Sequence, residues 1–159
     1  MNNNSKWQTT LLVALRMLIG WHFLYEGIHK LLHPQWSSLG YLEEAQGFLS
    51  GLAHLMISHA KVLSTVDFLN TWGLTAIGLG LILGLFTRVA SFAGAALLML
   101  YYLMNPPFIG MVPAGPMEGN YLLVNKNLIE AVTLLLLAVL PAVQLFGLDS
   151  LRKKHKTKS

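Results

Sequence analysis

The sequence predicts an all-α membrane protein: a four-transmembrane-helix bundle with an interfacial helical segment between the first and second spans. Three observations predict it. Of the 159 residues 54% are apolar and only 11% charged, outside the balance of ordinary soluble domains. Four apolar runs are separated by polar or Pro/Gly-rich stretches, and Lys6, Arg88 and the basic tail fall on one side of the implied bundle. Four spans of about 20 residues occupy roughly half of such a chain, so residues 1–159 form a single domain.

The first span runs from about residue 9 to 32. It lacks the short apolar core and small-residue cleavage site of a signal peptide, so it is expected to be retained. The second runs over 67–86 and the third over 89–104, where Asn105-Pro106-Pro107 removes amide donors and stops the helix. The fourth covers 121–146, with Pro141 near its exit, where a lost hydrogen bond is least costly. The 33–66 connection mixes Trp36, Tyr41, Phe48, Leu52 and Leu55 with Gly, Ser, Glu and His, a pattern suited to helix lying in the membrane interface. The 105–120 connection, rich in Pro and Gly, reads as an ordered cap or lid without regular structure.

Orientation follows from the positive-inside rule. Lys6, Arg88 and the basic tail (150–159, with Arg152, Lys153, Lys154, Lys156 and Lys158) fall on one side, which places both termini in the cytoplasm of a bacterial or archaeal cell, the chain being multi-pass in the inner membrane. The tail accounts for the net charge of +4 as a topology signal, so no nucleic-acid partner is expected. The sequence has no cysteine, which excludes disulfides, iron–sulfur ligation, thiolate zinc and a dithiol relay. Redox chemistry would need a borrowed cofactor or partner.

Ionisable groups inside a span cost a few kcal/mol each, so they face the bundle interior and need partners. At about 100° per residue, His22, Glu26, His29 and His33 form one stripe of the first helix. Arg16, Gly20, Phe23, Gly27 and Lys30 share the neighbouring face, where the glycines would admit another backbone. Glu26 precedes Lys30 by four residues, the favourable order for an ion pair. In the fourth span Lys126, Asn127, Glu130 and Thr133 form another polar face, and Glu130 lies about 12 Å in from the outer end. Antiparallel packing would bring Glu26, Lys30, Lys126 and Glu130 to one level, with Tyr101 and Asn105 nearby and Tyr121 at the start of the fourth helix. In the second span Gly73, Gly80 and Gly84 lie along one face and suit close packing.

These residues admit a structural reading, in which the Glu and Lys groups only fix helix register, and a functional one, in which they form a site. No metal site is predicted: Glu26-x-x-His29 is half of a di-iron motif, and only Glu130 is available to complete it. Nor is haem, because His22, His29 and His33 share one helix. Arg16 is about 10 Å inside the inner boundary, too deep to serve topology alone, and would snorkel or bind an anion or a carbonyl.

Leu15-Arg16 through Gly20, Phe23, Glu26-Gly27 and Lys30-Leu31 resembles the opening helix of DoxX-family membrane proteins. The likeness continues in Gly80 to Arg88, in Tyr101-Tyr102, in Asn120-Tyr121 through Val124-Asn125-Lys126-Asn127 to Glu130, and in Gly147-Leu148-Asp149. The long outer connection and the Asn-Tyr…Asn-Lys-Asn…Glu run resemble the DoxD branch in particular, the membrane subunit of thiosulfate:quinone oxidoreductase, also described as a terminal quinol oxidase subunit. That resemblance implies electron transfer from a small reductant, thiosulfate for example, to membrane quinone, with a small accessory subunit as partner. It assigns Glu26, Glu130, Lys30 and Lys126 to catalysis, and Arg16, His22, His29, Tyr101, Asn105, Tyr121, Asn125 and Asn127 to ligand binding. The competing expectation is a non-catalytic membrane partner that assembles a redox or envelope-stress complex; a transporter is weaker, since nothing marks discontinuous spans.

Overall fold

A computed structural model describes residues 3–108, 120–140 and 147–148, with side chains from residue 6 and, in the second stretch, from residue 122. The elements in order are α1 (Asn3–Leu32), α2 (Leu39–Glu43), α3 (Ser50–Ile57), α4 (Ala60–Leu83), α5 (Thr87–Met104), the two-residue strands β1 (Asn120–Tyr121) and β2 (Val124–Asn125), and α6 (Lys126–Val139). Among the described residues three segments, Lys6–Leu32, Ala60–Leu83 and Thr87–Met104, are long and apolar enough to cross a membrane.

The helix ends have local causes. Pro34 disfavours helical backbone at His33, and α1 stops one residue earlier. Gly84 takes left-handed backbone (φ 64°) and closes α4, and the tight turn through Phe86 (φ 49°) launches α5. The second span was expected over 67–86, yet α4 begins at Ala60: a helix need not be apolar where it leaves the bilayer, so Lys61, Ser64 and Thr65 continue it outward. The fourth helix was expected from residue 121. Instead Asn120 pairs with Asn125 and Tyr121 with Val124 in a hairpin, and the Asn125 side chain caps α6 by accepting from the Leu128 amide at 3.0 Å. Its described end is Val139, because Pro141 favours extended backbone at Leu140 (ψ 116°). The continuation to 146, the basic tail and most of the proposed lid (109–119) lie outside the described residues.

Packing pairs α1 with α4 and α5 with α6, around a core of Ile19, Phe23, Leu74, Ile77, Leu81, Leu98, Leu134 and Leu137. The α1–α4 seam is a backbone-to-backbone approach: a methyl on Gly27 would lie 2.6 Å from the Thr75 nitrogen, and one on Gly78 2.7 Å from the Leu24 Cα. The close-packing glycine of α4 is therefore Gly78. Gly73 faces open space, and Gly80 packs towards Ala90 of α5. Outward faces carry Trp7, Leu18, Trp21, Phe68 and Leu69, all more than half exposed. Rows of large apolar side chains along long helices suit hydrocarbon and not water.

The 33–59 connection folds over the end of the bundle where α1 and α5 terminate. Gly47 and Leu49 amides donate to the Met104 and Leu103 carbonyls at 2.7 and 3.3 Å, supplying partners that the end of α5 cannot find within its own helix. Asp67 of α4 accepts from the Ser37 hydroxyl and the Ser38 amide, each at 2.8 Å, and so ties the start of α2 to α4.

Candidate functional site

α1, α4, α5 and α6 enclose a cavity of about 180 Å³ that His22, Phe23, Glu26, Lys30, Leu74, Leu98, Tyr101, Lys126 and Asn127 line. A second chamber of about 350 Å³ adjoins it, sharing Lys30, Tyr101 and Asn127 and adding Trp36, Ser37, Ser38, Tyr41 and Asn70. His22, Glu26 and Lys30 recur every four residues, so one face of α1 supplies both an acid and a base to the cavity.

The charges are not paired as α-helical spacing suggests. Lys30 does not close on Glu26. It donates to Asn70 Oδ1 of α4 at 2.9 Å and sits 4.5 Å from the centre of the Trp36 ring. Nor does Lys126 close on Glu130. His22 stands between them, Nδ1 3.0 Å from Glu130 Oε2 and Nε2 3.0 Å from Lys126 Nζ. An ammonium can only donate, so Nε2 accepts and the ring proton lies on Nδ1, donating to Glu130. The imidazole thus links α1 to α6 in a directed chain, Lys126 to His22 to Glu130. Glu26 lines the cavity and among the described residues makes no hydrogen bond or ion pair.

The proposed site residues separate into three groups. Glu26, Lys30, Lys126, His22, Tyr101 and Asn127 converge on the chambers. Glu130 does not line them; it lies behind His22 and orients it. Arg16, His29, Asn105 and Asn125 are elsewhere. Arg16 is buried on α1 about 9 Å along the axis from His22. His29 faces outward, stacked between Tyr25 and His33. Asn105 joins the end of α5 to α2, its amide nitrogen donating to the Glu44 carbonyl at 2.9 Å, and Asn125 is spent as the α6 cap. The side chain of Tyr121 lies outside the described residues.

Sequence reasoning passed over Asn70, Trp36 and Asp67. Asn70 donates to the Tyr101 hydroxyl while accepting from Lys30, so it fixes both. Its signal was a lone amide one turn after Asp67 in an otherwise apolar run. Tyr41 packs edge-on against Tyr101 and donates to the Tyr101 carbonyl at 2.9 Å.

Burial raises the Tyr41 hydroxyl above its ordinary pKa of 10.0, an effect that the adjoining Asn105 amide partly offsets. Folded chain then holds this proton where unfolded chain has lost it, so the contribution of Tyr41 is full below pH 10 and falls as pH rises through the folded value. Wild type is expected to exceed Tyr41→Phe in stability by about 1 kcal/mol at pH 8. That gap should narrow above pH 10 in detergent melting curves; a constant gap would deny the buried phenol this role.

Residues 11–105 match the DoxX family model, well over half of the chain. The chain belongs to the DoxX family. No curated protein and no solved structure matches it. Membership and the apolar helices together make it a membrane protein with a lipid-bilayer environment. The DoxX match includes Glu26, Lys30, Asn70 and Tyr101 and ends before α6, so Lys126 and Glu130 come from the segment beyond it.

Proposed function

We propose that this DoxX protein is a quinone-linked oxidoreductase subunit of the DoxD type, passing two electrons from a small anionic reductant such as thiosulfate to membrane quinone. The observation that carries this reading is the Lys126–His22–Glu130 chain on the wall of a chamber that also holds Glu26 and Lys30. Quinone reduction consumes two electrons and two protons. Two thiosulfate ions joining through a new S–S bond release the two electrons. The protons come from the protein side: Lys126, which is exposed, would pass one through His22 Nε2 to a quinone oxygen, while Glu26, protonated on the chamber wall, would give the other. Lys30, held by Asn70, would fix a quinone carbonyl or the anionic donor.

In this reading α6 continues as a fourth span, both termini lie in the cytoplasm, the site opens to the outer leaflet of the inner membrane, and a small accessory subunit contributes to delivery of the reductant. Thiosulfate-dependent quinone reduction by purified protein in nanodiscs tests it. Lys126→Ala and Glu26→Gln are each expected to lower the rate at least about tenfold with the fold intact. Unchanged turnover in both would remove these roles. A wild-type protein that neither binds nor reduces quinone, yet co-purifies with other chains, would favour the assembly role.

A further inference from the structure

A third chamber lies on the far side of Tyr101. It has about 180 Å³, with walls from Leu42, Met56, Val66, Leu97 and Met104. Ser38, Tyr41, Asn70 and Tyr101 line both it and the larger polar chamber. The polar and apolar spaces are therefore neighbours across one pair of tyrosines, whose rings meet edge-on at 5.7 Å. Leu69 of α4 and Leu100 of α5, 63% and 38% exposed, stand at the apolar chamber's outer edge. That places its mouth between two membrane-crossing helices, on the hydrocarbon side.

A space with cationic and amide donors at one end and only aliphatic walls at the other matches a ligand with a polar ring and an apolar chain. A chain of that kind must stay in hydrocarbon while its ring reaches Lys30, and the α4–α5 gap gives it a route. Resting on the quinone reading, we propose that the chamber walled by Met56 and Leu97 receives the first isoprene units of the quinone's tail, so that this protein selects prenylated quinones over the bare ring. Burial of several methylene-sized groups then supplies most of the affinity, while Lys30 and Asn70 supply orientation.

Titration calorimetry in nanodiscs, with empty discs as the partition baseline, tests this using a benzoquinone ring bearing two isoprene units and the same ring bearing a methyl group. Wild type is expected to bind the tailed ring at least about tenfold more tightly. Met56→Trp and Leu97→Trp, filling the chamber from opposite walls, should each abolish the gain and leave affinity for the methyl ring within about twofold. Two variants on different helices guard against one that misfolds. A bare ring that binds without any gain from the tail, or a gain that survives both variants, would overturn the assignment and leave the quinone reading standing. Failure of wild type to bind either ring would overturn both. A saturated fatty acid that displaces the tailed ring from the chamber with equal affinity would assign the space to lipid, against the proposal.

Discussion

Replacing His22 by alanine is expected to lower quinone reduction by roughly 10²- to 10⁴-fold, the range that a positioned proton-transfer group contributes. The expectation follows from the two 3.0 Å bonds that leave the ring no freedom: Glu130 fixes Nδ1 and Lys126 meets Nε2. Alanine would remove the side-chain bridge between them. Direct closure of Lys126 on Glu130 would be a poor substitute, because a base four residues before an acid is the less favourable order on a helix. Two controls separate proton transfer from bracing. His22→Asn retains an N–H donor near Glu130, so its melting temperature should stay close to wild type while its rate falls with alanine's. Added imidazole should restore part of the rate to His22→Ala, which simple loss of a brace between α1 and α6 would not permit. Full activity in His22→Asn would confine the histidine to a structural role.

This histidine also measures what the sequence could disclose. Depth counted at 1.5 Å per residue put Glu26, Lys30, Lys126 and Glu130 at one level; the first three share a chamber, whereas Glu130 stands off it, against His22. The count works because rise along a helix is fixed by the backbone and antiparallel neighbours share the membrane as a common ruler. Partner choice is not fixed that way. It depends on rotation about each helix axis and on which side chain intervenes, so the expected Glu26–Lys30 pair gave way to a contact between helices, Lys30 with Asn70, and Glu130 is met by His22 of α1. Rotation on an ideal wheel does not foretell His29, seven residues from His22 and nearly in line with it, yet directed outward into a stack with Tyr25 and His33. Asn70 escaped notice because it is a lone amide in an otherwise apolar run, with no neighbouring polar face or motif to mark it. An amide serves Lys30 and Tyr101 at once, accepting from one and donating to the other. The start of α6 was hidden by the apolar run Tyr121 to Val124, which reads as helix until the Asn125 cap is seen in place.

Gly78→Ala is expected to destabilise the protein by about 3 kcal/mol and Gly27→Ala by a similar amount, whereas Gly73→Ala should be neutral or slightly stabilising. The three substitutions add the same methyl to helical glycines, so differences among them report space alone. At Gly78 the methyl would meet the Leu24 backbone nitrogen and, at 2.7 Å, its Cα; at Gly27 it would lie 2.6 Å from the Thr75 nitrogen and 3.0 Å from its Cα; around Gly73 there is nothing to meet. Backbone cannot rotate aside as a side-chain tip can, so α1 and α4 must separate. Lipid is as apolar as the side chains it would replace, which leaves close packing as the main force holding such helices together. Separation would also pull Lys30 from Asn70, since that bond joins the same two helices. The glycine variants should therefore lose quinone affinity along with thermal stability, in the order Gly78 and Gly27 far above Gly73. Equal melting temperatures for Gly73→Ala and Gly78→Ala would mean that the α1–α4 seam is looser than this packing requires, and the chamber's geometry would lose its foundation.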